Sequence, residues 1–215
     1  MTDNIELTPE LLLRAYCSGV FPMAETAQDT NVFWVNPELR GIIPLNGFHV
    51  SRSLRRRLLS GDYKFTVNTC FGAVLDACAD RKETWINKTI RTQYNKLHHL
   101  GFAHSVEVWK GSDLVGGVYG VCIGGAFFGE SMFSHTTDGS KLALVALIAR
   151  LNSGKFTLFD TQFISDHLAT LGGIEIPRNE FREMLADALE IDADFWKFPE
   201  DTTPYKLWQL STQIS

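Results

Sequence analysis

The sequence GGVYGVCIGGAFFGESMFS occupies residues 116–134 and predicts the centre of the fold. Residues 114–123 form an apolar run typical of a strand, Gly124-Gly125 is a two-residue hairpin signal, and a second strand starts with residues 126–128. Glu130 follows at the end of this aromatic strand. Its carboxylate either lies in solvent at a strand edge, or is desolvated and requires a cationic partner that the protein binds.

The segments around this hairpin alternate between strand and helix patterns. A strand at residues 105–109 precedes the hairpin and completes a three-strand meander, while a helix starts at Asp138 or Ser140 and a strand follows at residues 156–160. Thr8 and Pro9 are typical of a helix start, and Pro37 indicates the edge of a small N-terminal domain. We therefore predict an α+β fold with a small domain at residues 1–37 and a larger one at residues 38–215.

Further elements follow from cap residues and apolar spacing. Ser51 caps a helix that Gly61 ends, and strand-like alternation follows at residues 64–68. Helices are predicted at residues 71–78 and 87–100, with two shorter helices near residues 167–171 and 179–189. The last part of the chain, near residues 194–199, is predicted to be a tail.

The composition is typical of a globular protein. Of the 215 residues, 45% are hydrophobic and 21% are charged, and no apolar run approaches the roughly 18 residues that a membrane span needs. The first seven residues lack the basic start and apolar core of a signal peptide, so we expect a cytoplasmic protein without membrane contact. The four cysteines and six histidines show no metal-ligand spacing, so we expect no metal site.

The net charge of −5 conceals a basic region. Residues 52–96 contain ten of the 20 Lys and Arg residues against four acidic residues. This excess indicates either a patch for a polyanion or solvated helix faces. Trp85 lies in a loop within this region, where it is either a core residue or an aromatic surface on which a nucleobase stacks.

Several short strings in one order resemble a known family. They are FP (residues 21–22), HSVEVW (104–109), LVGGVYGV (114–121), GESMFS (129–134), DTQ (160–162), DH (166–167) and EIPR (175–178). Together they resemble the bacterial leucyl/phenylalanyl-tRNA–protein transferases, and the resemblance covers the chain from about Leu11 to Phe198.

This resemblance implies an activity and a fold. Members move leucine or phenylalanine, and less readily methionine, from aminoacyl-tRNA to the N-terminal Arg or Lys of a protein, which marks that protein for degradation by the N-end rule pathway. The resemblance implies a GNAT-like (acetyltransferase-like) mixed-sheet domain beside the small N-terminal domain. The expected partners are aminoacyl-tRNA and acceptor proteins. No cofactor is expected, because the aminoacyl ester is already activated.

The resemblance also implies roles for individual residues. Asp160 and Gln162 assist the reacting amine, with Gln162 orienting it and Asp160 polarising it or relaying a proton. Glu130 faces the cationic acceptor residue, and Trp85 and Tyr94 hold the tRNA 3′ end. The donor side chain enters an apolar pocket formed by Val118, Phe127, Met132, Phe133, Leu144, Leu147 and Phe159. The phosphates of the tRNA contact a basic patch of Arg52, Arg55, Arg56, Arg57, Arg81, Lys82 and Lys88.

Met23 departs from the family pattern, and two alternative functions are compatible with parts of the sequence. Met23 stands where many members have a Trp, so a stacking surface near the 3′ adenosine is expected to be missing. An acyl-CoA N-acetyltransferase would require a Gly-rich pyrophosphate loop at a helix start, and the sequence contains no such string. A non-catalytic module that binds tRNA or basic N-termini would retain the Arg52–Arg57 cluster and Glu130 but would not need Asp160 and Gln162.

Overall fold

The computed structural model describes residues 7–29, 31–199 and 202–212. The helices in these ranges are α1 Pro9–Cys17, α2 Arg52–Leu58, α3 Phe71–Ala79, α4 Lys88–His99, α5 Gly139–Ser153, α6 Asp166–Ala169, α7 Arg178–Leu189 and α8 Pro204–Ser211. The strands are β1 Phe21–Met23, β2 Phe33–Val35, β3 Leu39–Ile42, β4 Lys64–Val67, β5 Ala103–Lys110, β6 Asp113–Ile123, β7 Ala126–Ser134, β8 Leu158–Gln162 and β9 Ile174–Pro177.

Seven strands form a mixed sheet in the order β4-β5-β6-β7-β8-β3-β9. The predicted meander is confirmed, because β5, β6 and β7 pair antiparallel and Ile123 opposes Ala126 across the Gly124-Gly125 turn. β7 and β8 are parallel, since the long helix α5 connects them as a crossover. The predicted α+β class is therefore confirmed, and the parallel pair lies at the centre of the sheet.

The two faces of the sheet bury different cores. Helix α5 and the partly buried residues of α8 cover one face, where Val106, Val118 and Phe127 pack against α5. Helices α1, α3, α4 and α7 cover the other face, where Tyr119 and Phe128 lie. Because successive side chains in a strand alternate between faces, each strand contributes to both cores.

The N-terminal elements pack against this sheet. The Thr8 side chain caps α1 by accepting a hydrogen bond from the Leu11 N–H at 3.2 Å, as predicted. Strands β1 and β2 form a separate two-stranded ribbon. Leu12 and Tyr16 of α1 are fully buried in the same core as α4. The domain boundary near Pro37 stays a prediction, and its outer limits lie outside the described residues.

Three elements were missed and one residue was misplaced. Helix α8 lies beyond the predicted tail at residues 194–199 and packs against α5, and β1 and β9 are strands that the pattern did not indicate. Glu130 lies in the middle of β7 rather than at its end, because the ladder with β6 continues to Ser134. Residues 1–6, on which most of the expectation about a signal peptide rests, lie outside the described ranges. Within those ranges no helix is long and apolar enough to cross a membrane.

Candidate active site

A gap between β7 and β8 creates the site. The two strands pair only from Ala126 to Phe128 against Leu158 to Asp160. Beyond these positions each strand carries an irregularity. Tyr119 opposes Ser131, and the next residue of β6, Gly120, opposes Gly129. Glu130 is therefore an extra residue in β7. Thr161 is likewise extra in β8, between the residues that oppose Gly41 and Ile42. Such bulges interrupt pairing and redirect side chains, so both strands open a space here.

Two tyrosines hold the Glu130 carboxylate. Tyr16 of α1 donates its hydroxyl to Oε1 at 2.6 Å, and Tyr94 of α4 donates to Oε2 at 2.7 Å. Both tyrosine rings are fully buried, and their hydroxyl oxygens also contact each other. Glu130 itself is partly exposed. Two helices from different parts of the chain therefore fix this carboxylate at the edge of the gap.

The ionisation of Glu130 is shifted towards neutral pH. Burial raises the pKa of the Glu130 carboxyl to about 7, although the two tyrosine hydroxyls oppose the shift. The negative charge of Asp160 adds to it, and Arg40 acts against it. A carboxyl group in this range changes charge near physiological pH, as acids and bases in active sites often do.

This raised pKa predicts a pH-dependent stability. Between about pH 4.3, where glutamate ordinarily titrates, and about pH 7, the unfolded chain loses the Glu130 proton while the folded protein keeps it. The free energy of unfolding should therefore fall as pH rises through this window. Glu130→Gln lacks this titrating group. The free energy of unfolding of the variant minus that of wild type, measured by urea titration, should therefore increase from pH 4.5 to pH 8.

The exposed Glu180 on α7 offers a matched control for this measurement. Glu180→Gln should track wild type across the same pH range, because this side chain lies at the surface. Parallel profiles for Glu130→Gln and wild type would contradict the raised pKa.

Asp160 is engaged by a buried arginine. Arg40 donates from Nε to Oδ1 at 2.8 Å and from Nη2 to Oδ2 at 2.6 Å, and both side chains are almost completely buried. Phe21 and Phe181 contact the guanidinium, with its central carbon 4.6 Å and 4.5 Å from their ring centroids. A bidentate pair of this kind fixes the orientation of the carboxylate.

Gln162 is held by the same carboxylate. Its backbone N–H donates to Asp160 Oδ1 at 2.9 Å, and its side-chain Nε2 lies 3.4 Å from Oδ2. The residue adopts a left-handed φ of 59°, which is uncommon for a side chain of this size. Because Asp160 accepts both of these hydrogen bonds, the amide nitrogen of Gln162 points towards it and the amide oxygen is left for another donor.

The predicted donor pocket is only partly reproduced. A cavity of about 80 Å³ lies in the gap and is lined by Val118, Gly129, Glu130, Ser131, Met132, Leu144, Thr161 and Leu168. Phe127, Leu147 and Phe159 lie in the core behind it without lining it. Phe133 packs in the core on the opposite face of the sheet, because it follows Met132 in the strand.

The predicted 3′-end residues lie at different depths. Trp85 is partly exposed and lines a cavity of about 740 Å³ that also reaches Glu130. Tyr94 is fully buried, so its ring has no free face for a nucleobase, and its hydroxyl acts on Glu130 instead. Of the two, only Trp85 is placed to stack on a ligand.

The residues of the predicted basic patch make different contacts. Arg57 contacts Asp138 at the start of α5, with 3.0 Å between Nε and Oδ2, while Arg55 stacks over Trp208. Arg81 lines the cavity and donates to Ser131 Oγ at 3.0 Å. Exposed members without such contacts in the described ranges are Arg52, Arg56, Lys82 and Lys88.

Sequence reasoning missed two residues of this site. The sequence patterns gave no functional role to Tyr16 or to Arg40. A single arginine within the apolar sequence Leu39-Arg40-Gly41-Ile42 was the available signal, since a cation in a buried strand requires a carboxylate partner. In the described ranges, no group of three or more His, Cys, Asp or Glu residues could hold a metal ion.

Comparison with known proteins identifies the relatives of this chain. The family model of the leucyl/phenylalanyl-tRNA protein transferase matches residues 42–186, and the model of its N-terminal domain matches residues 5–38. A leucyl/phenylalanyl-tRNA–protein transferase of Ruegeria pomeroyi is 56% identical over 211 residues, covering 98% of this chain and all of the relative. That of Jannaschia sp. strain CCS1 is 56% identical and covers 91% and 92% of the two chains.

Solved structures show a weaker similarity. The crystal structure of FemX has a TM-score of 0.46 and 10% identity, and the match covers 81% of this chain and 70% of FemX. The family models together cover the site residues Tyr16, Glu130, Asp160 and Gln162. The chain therefore belongs to the leucyl/phenylalanyl-tRNA–protein transferase family.

Proposed function

We propose that this chain transfers leucine or phenylalanine, and less readily methionine, from aminoacyl-tRNA to the N-terminal Arg or Lys of acceptor proteins, and that the reaction occurs in the gap between β7 and β8. Family membership makes the chain an aminoacyl-tRNA–protein transferase. The observation that carries the proposed location is that Glu130 lines the small apolar cavity in the gap, together with Thr161, the residue before Gln162. Aminoacyl-tRNA is a cytoplasmic substrate, so we expect the reaction in the cytoplasm.

The donor side chain occupies the small cavity. Val118, Met132, Leu144 and Leu168 provide its apolar wall, which suits an unbranched or γ-branched side chain. One methylene group more or less changes binding by only about 1–3 kcal/mol, so moderate selectivity between leucine, phenylalanine and methionine is expected. Trp85, in the wider cavity beside Glu130, offers a stacking surface to the 3′-terminal base.

Glu130 binds the acceptor. Arg and Lys share a positive charge and a long stem but differ in hydrogen-bond geometry, so one carboxylate can serve both. Tyr16 and Tyr94 orient this carboxylate by occupying one hydrogen-bonding site on each oxygen. Each carboxylate oxygen has further acceptor capacity for a bound cation.

Gln162 orients the attacking amine. Asp160 holds its amide nitrogen, so the amide oxygen accepts a hydrogen bond from the neutral α-amine and directs the nitrogen lone pair towards the ester carbon. An ordinary α-amino group has a pKa of about 7.7–8.0, so a usable minority is neutral at cytoplasmic pH. Asp160 is fully buried and held by Arg40, so we assign it a positioning role in place of the proton relay expected from the sequence.

A transfer assay tests this proposal. Purified protein is mixed with phenylalanyl-tRNA or leucyl-tRNA labelled in the amino acid and with a model protein that begins with Arg. We expect acid-precipitable label that survives ester hydrolysis, because the product is a peptide bond. The label should disappear when the first residue of the acceptor is Ala.

The alternative functions give other results in the same assay. Binding of tRNA without transfer would favour a non-catalytic module and would contradict the proposal. Labelling of the acceptor by acetyl-CoA in place of aminoacyl-tRNA would indicate an N-acetyltransferase. The family match and the Gln162 geometry both favour aminoacyl transfer.

A further inference from the structure

The wide cavity beside Glu130 extends well beyond the place of the donor amino acid. It has a volume of about 740 Å³ and shares Glu130, Ser131 and Met132 with the small donor cavity. One wall of it is formed by Thr136 and Lys141 around the start of α5, together with His167 of α6. A molecule whose apolar end fills the donor cavity can therefore continue to this wall.

Two polar atoms on this wall have no hydrogen-bond partner in the described part of the chain. They are Thr136 Oγ1 and His167 Nε2, and both atoms are buried. Burial lowers the pKa of His167, the nearby Lys141 lowers it further, and Asp138 acts against the shift. An imidazole with a proton on Nε2 can donate from that atom. An unsatisfied buried polar atom destabilises the protein, and a ligand that accepts these hydrogen bonds would remove that cost.

Two cations, Lys141 and Arg57, surround one carboxylate, Asp138, at the start of α5. Lys141 is partly exposed, and its Nζ lies 3.6 Å from Asp138 Oδ1, while Arg57 binds the other oxygen of Asp138 at 3.0 Å. Arg81 lies elsewhere along the cavity, whereas the acidic residues that line it are Asp80, Glu130 and Asp138. Asp138 is thus shared between two cations, and Lys141 keeps hydrogen-bonding capacity towards the cavity.

The N-terminus of α5 adds a partial positive charge at this wall. Asp138 has a left-handed φ of 67° and makes no side-chain hydrogen bond to the helix, so its carboxylate does not cap α5. The Ser140 N–H bonds instead to Ser134 Oγ at 3.2 Å. The partial positive charge of this 15-residue helix therefore faces the region of Lys141.

We propose that Thr136, Lys141 and His167 bind the phosphate group that joins the 3′-terminal nucleotide of the donor tRNA to the preceding nucleotide. This inference rests on the proposed function. With the amino acid side chain in the donor cavity and the terminal base against Trp85, the next charged group of the donor is this phosphodiester. The site recognises a phosphate and no base, which suits a donor carried by several different tRNAs.

A competition experiment isolates the phosphate. Transfer from intact phenylalanyl-tRNA is inhibited with two non-hydrolysable donors, in which phenylalanine is linked by an amide to the 3′ end of the dinucleotide CpA. One carries the natural phosphodiester and the other an uncharged methylphosphonate. Wild type should bind the charged analogue roughly tenfold more tightly, as expected for a charge-assisted hydrogen bond.

Variants test which residues cause the tighter binding of the charged analogue. Lys141→Ala should reduce the ratio of the two inhibition constants towards one, and His167→Ala should lower it in part, while the neutral analogue binds as it does to wild type. Lys110→Ala is the matched control, because Lys110 is exposed at the β5–β6 turn, and it should keep the tenfold preference.

The outcomes separate this inference from the proposed function. An unchanged preference in Lys141→Ala, or equal inhibition of wild type by both analogues, would overturn the phosphate site. Absence of transfer from intact phenylalanyl-tRNA by wild type would instead overturn the proposed function.

Discussion

Arg40→Met is expected to lower the free energy of unfolding by about 3–5 kcal/mol, because it leaves the carboxylate of Asp160 buried without its cation. The change also removes the hydrogen bond from Arg40 Nη1 to the Gly19 carbonyl at 3.0 Å. Urea unfolding at neutral pH measures this loss.

Two further variants test the cause of this loss. Arg40→Met combined with Asp160→Leu removes both charges, and it should recover much of the stability that the single change loses. Arg182→Met changes an exposed arginine on α7 and should stay within about 0.5 kcal/mol of wild type. A loss below 1 kcal/mol for Arg40→Met would mean that the ion pair does not stabilise the fold around the site.

Gln162→Ala is expected to reduce turnover roughly 100-fold, because the attacking amine loses the group that directs it towards the ester carbon. The apparent KM for aminoacyl-tRNA should stay near that of wild type, since Gln162 does not line the donor cavity. Steady-state transfer at saturating acceptor measures both quantities.

A control variant and an unfolding measurement distinguish a loss of amine orientation from a loss of folded structure in Gln162→Ala. Gln209→Ala on the exposed side of α8 should leave both constants unchanged. Thermal unfolding of Gln162→Ala should resemble that of wild type, because the side chain makes a single long hydrogen bond. Turnover within threefold of wild type would show that Gln162 does not orient the amine.

Local patterns were sufficient for most of the fold. The meander around residues 116–134 follows from strand alternation and the Gly124-Gly125 turn, and α5 begins after Asp138 as predicted. Strand β9 and helix α8 were missed. β9 is a short edge strand with exposed residues, whereas α8 begins with Thr203-Pro204, the same start signal as in α1, and was overlooked.

The candidate site was predicted less completely than the fold. Glu130, Asp160 and Gln162 were proposed from the short strings that contain them, Trp85 was proposed from the resemblance and its position in a basic loop, and their roles stay predictions. Phe133 was assigned to the donor pocket from its proximity to Met132 in sequence. In a strand, however, that proximity places the two side chains on opposite faces.

The sequence by itself determined the α+β class, the central hairpin and the family, because each depends on short-range spacing or on recognisable strings. Only the tertiary structure decided that Tyr16 and Tyr94 hold Glu130 and that Arg40 holds Asp160. These pairs join residues 36 to 120 positions apart, and the contacts exist only after the helices and strands pack. The gap between β7 and β8 has the same origin, because bulges in two neighbouring strands create it together.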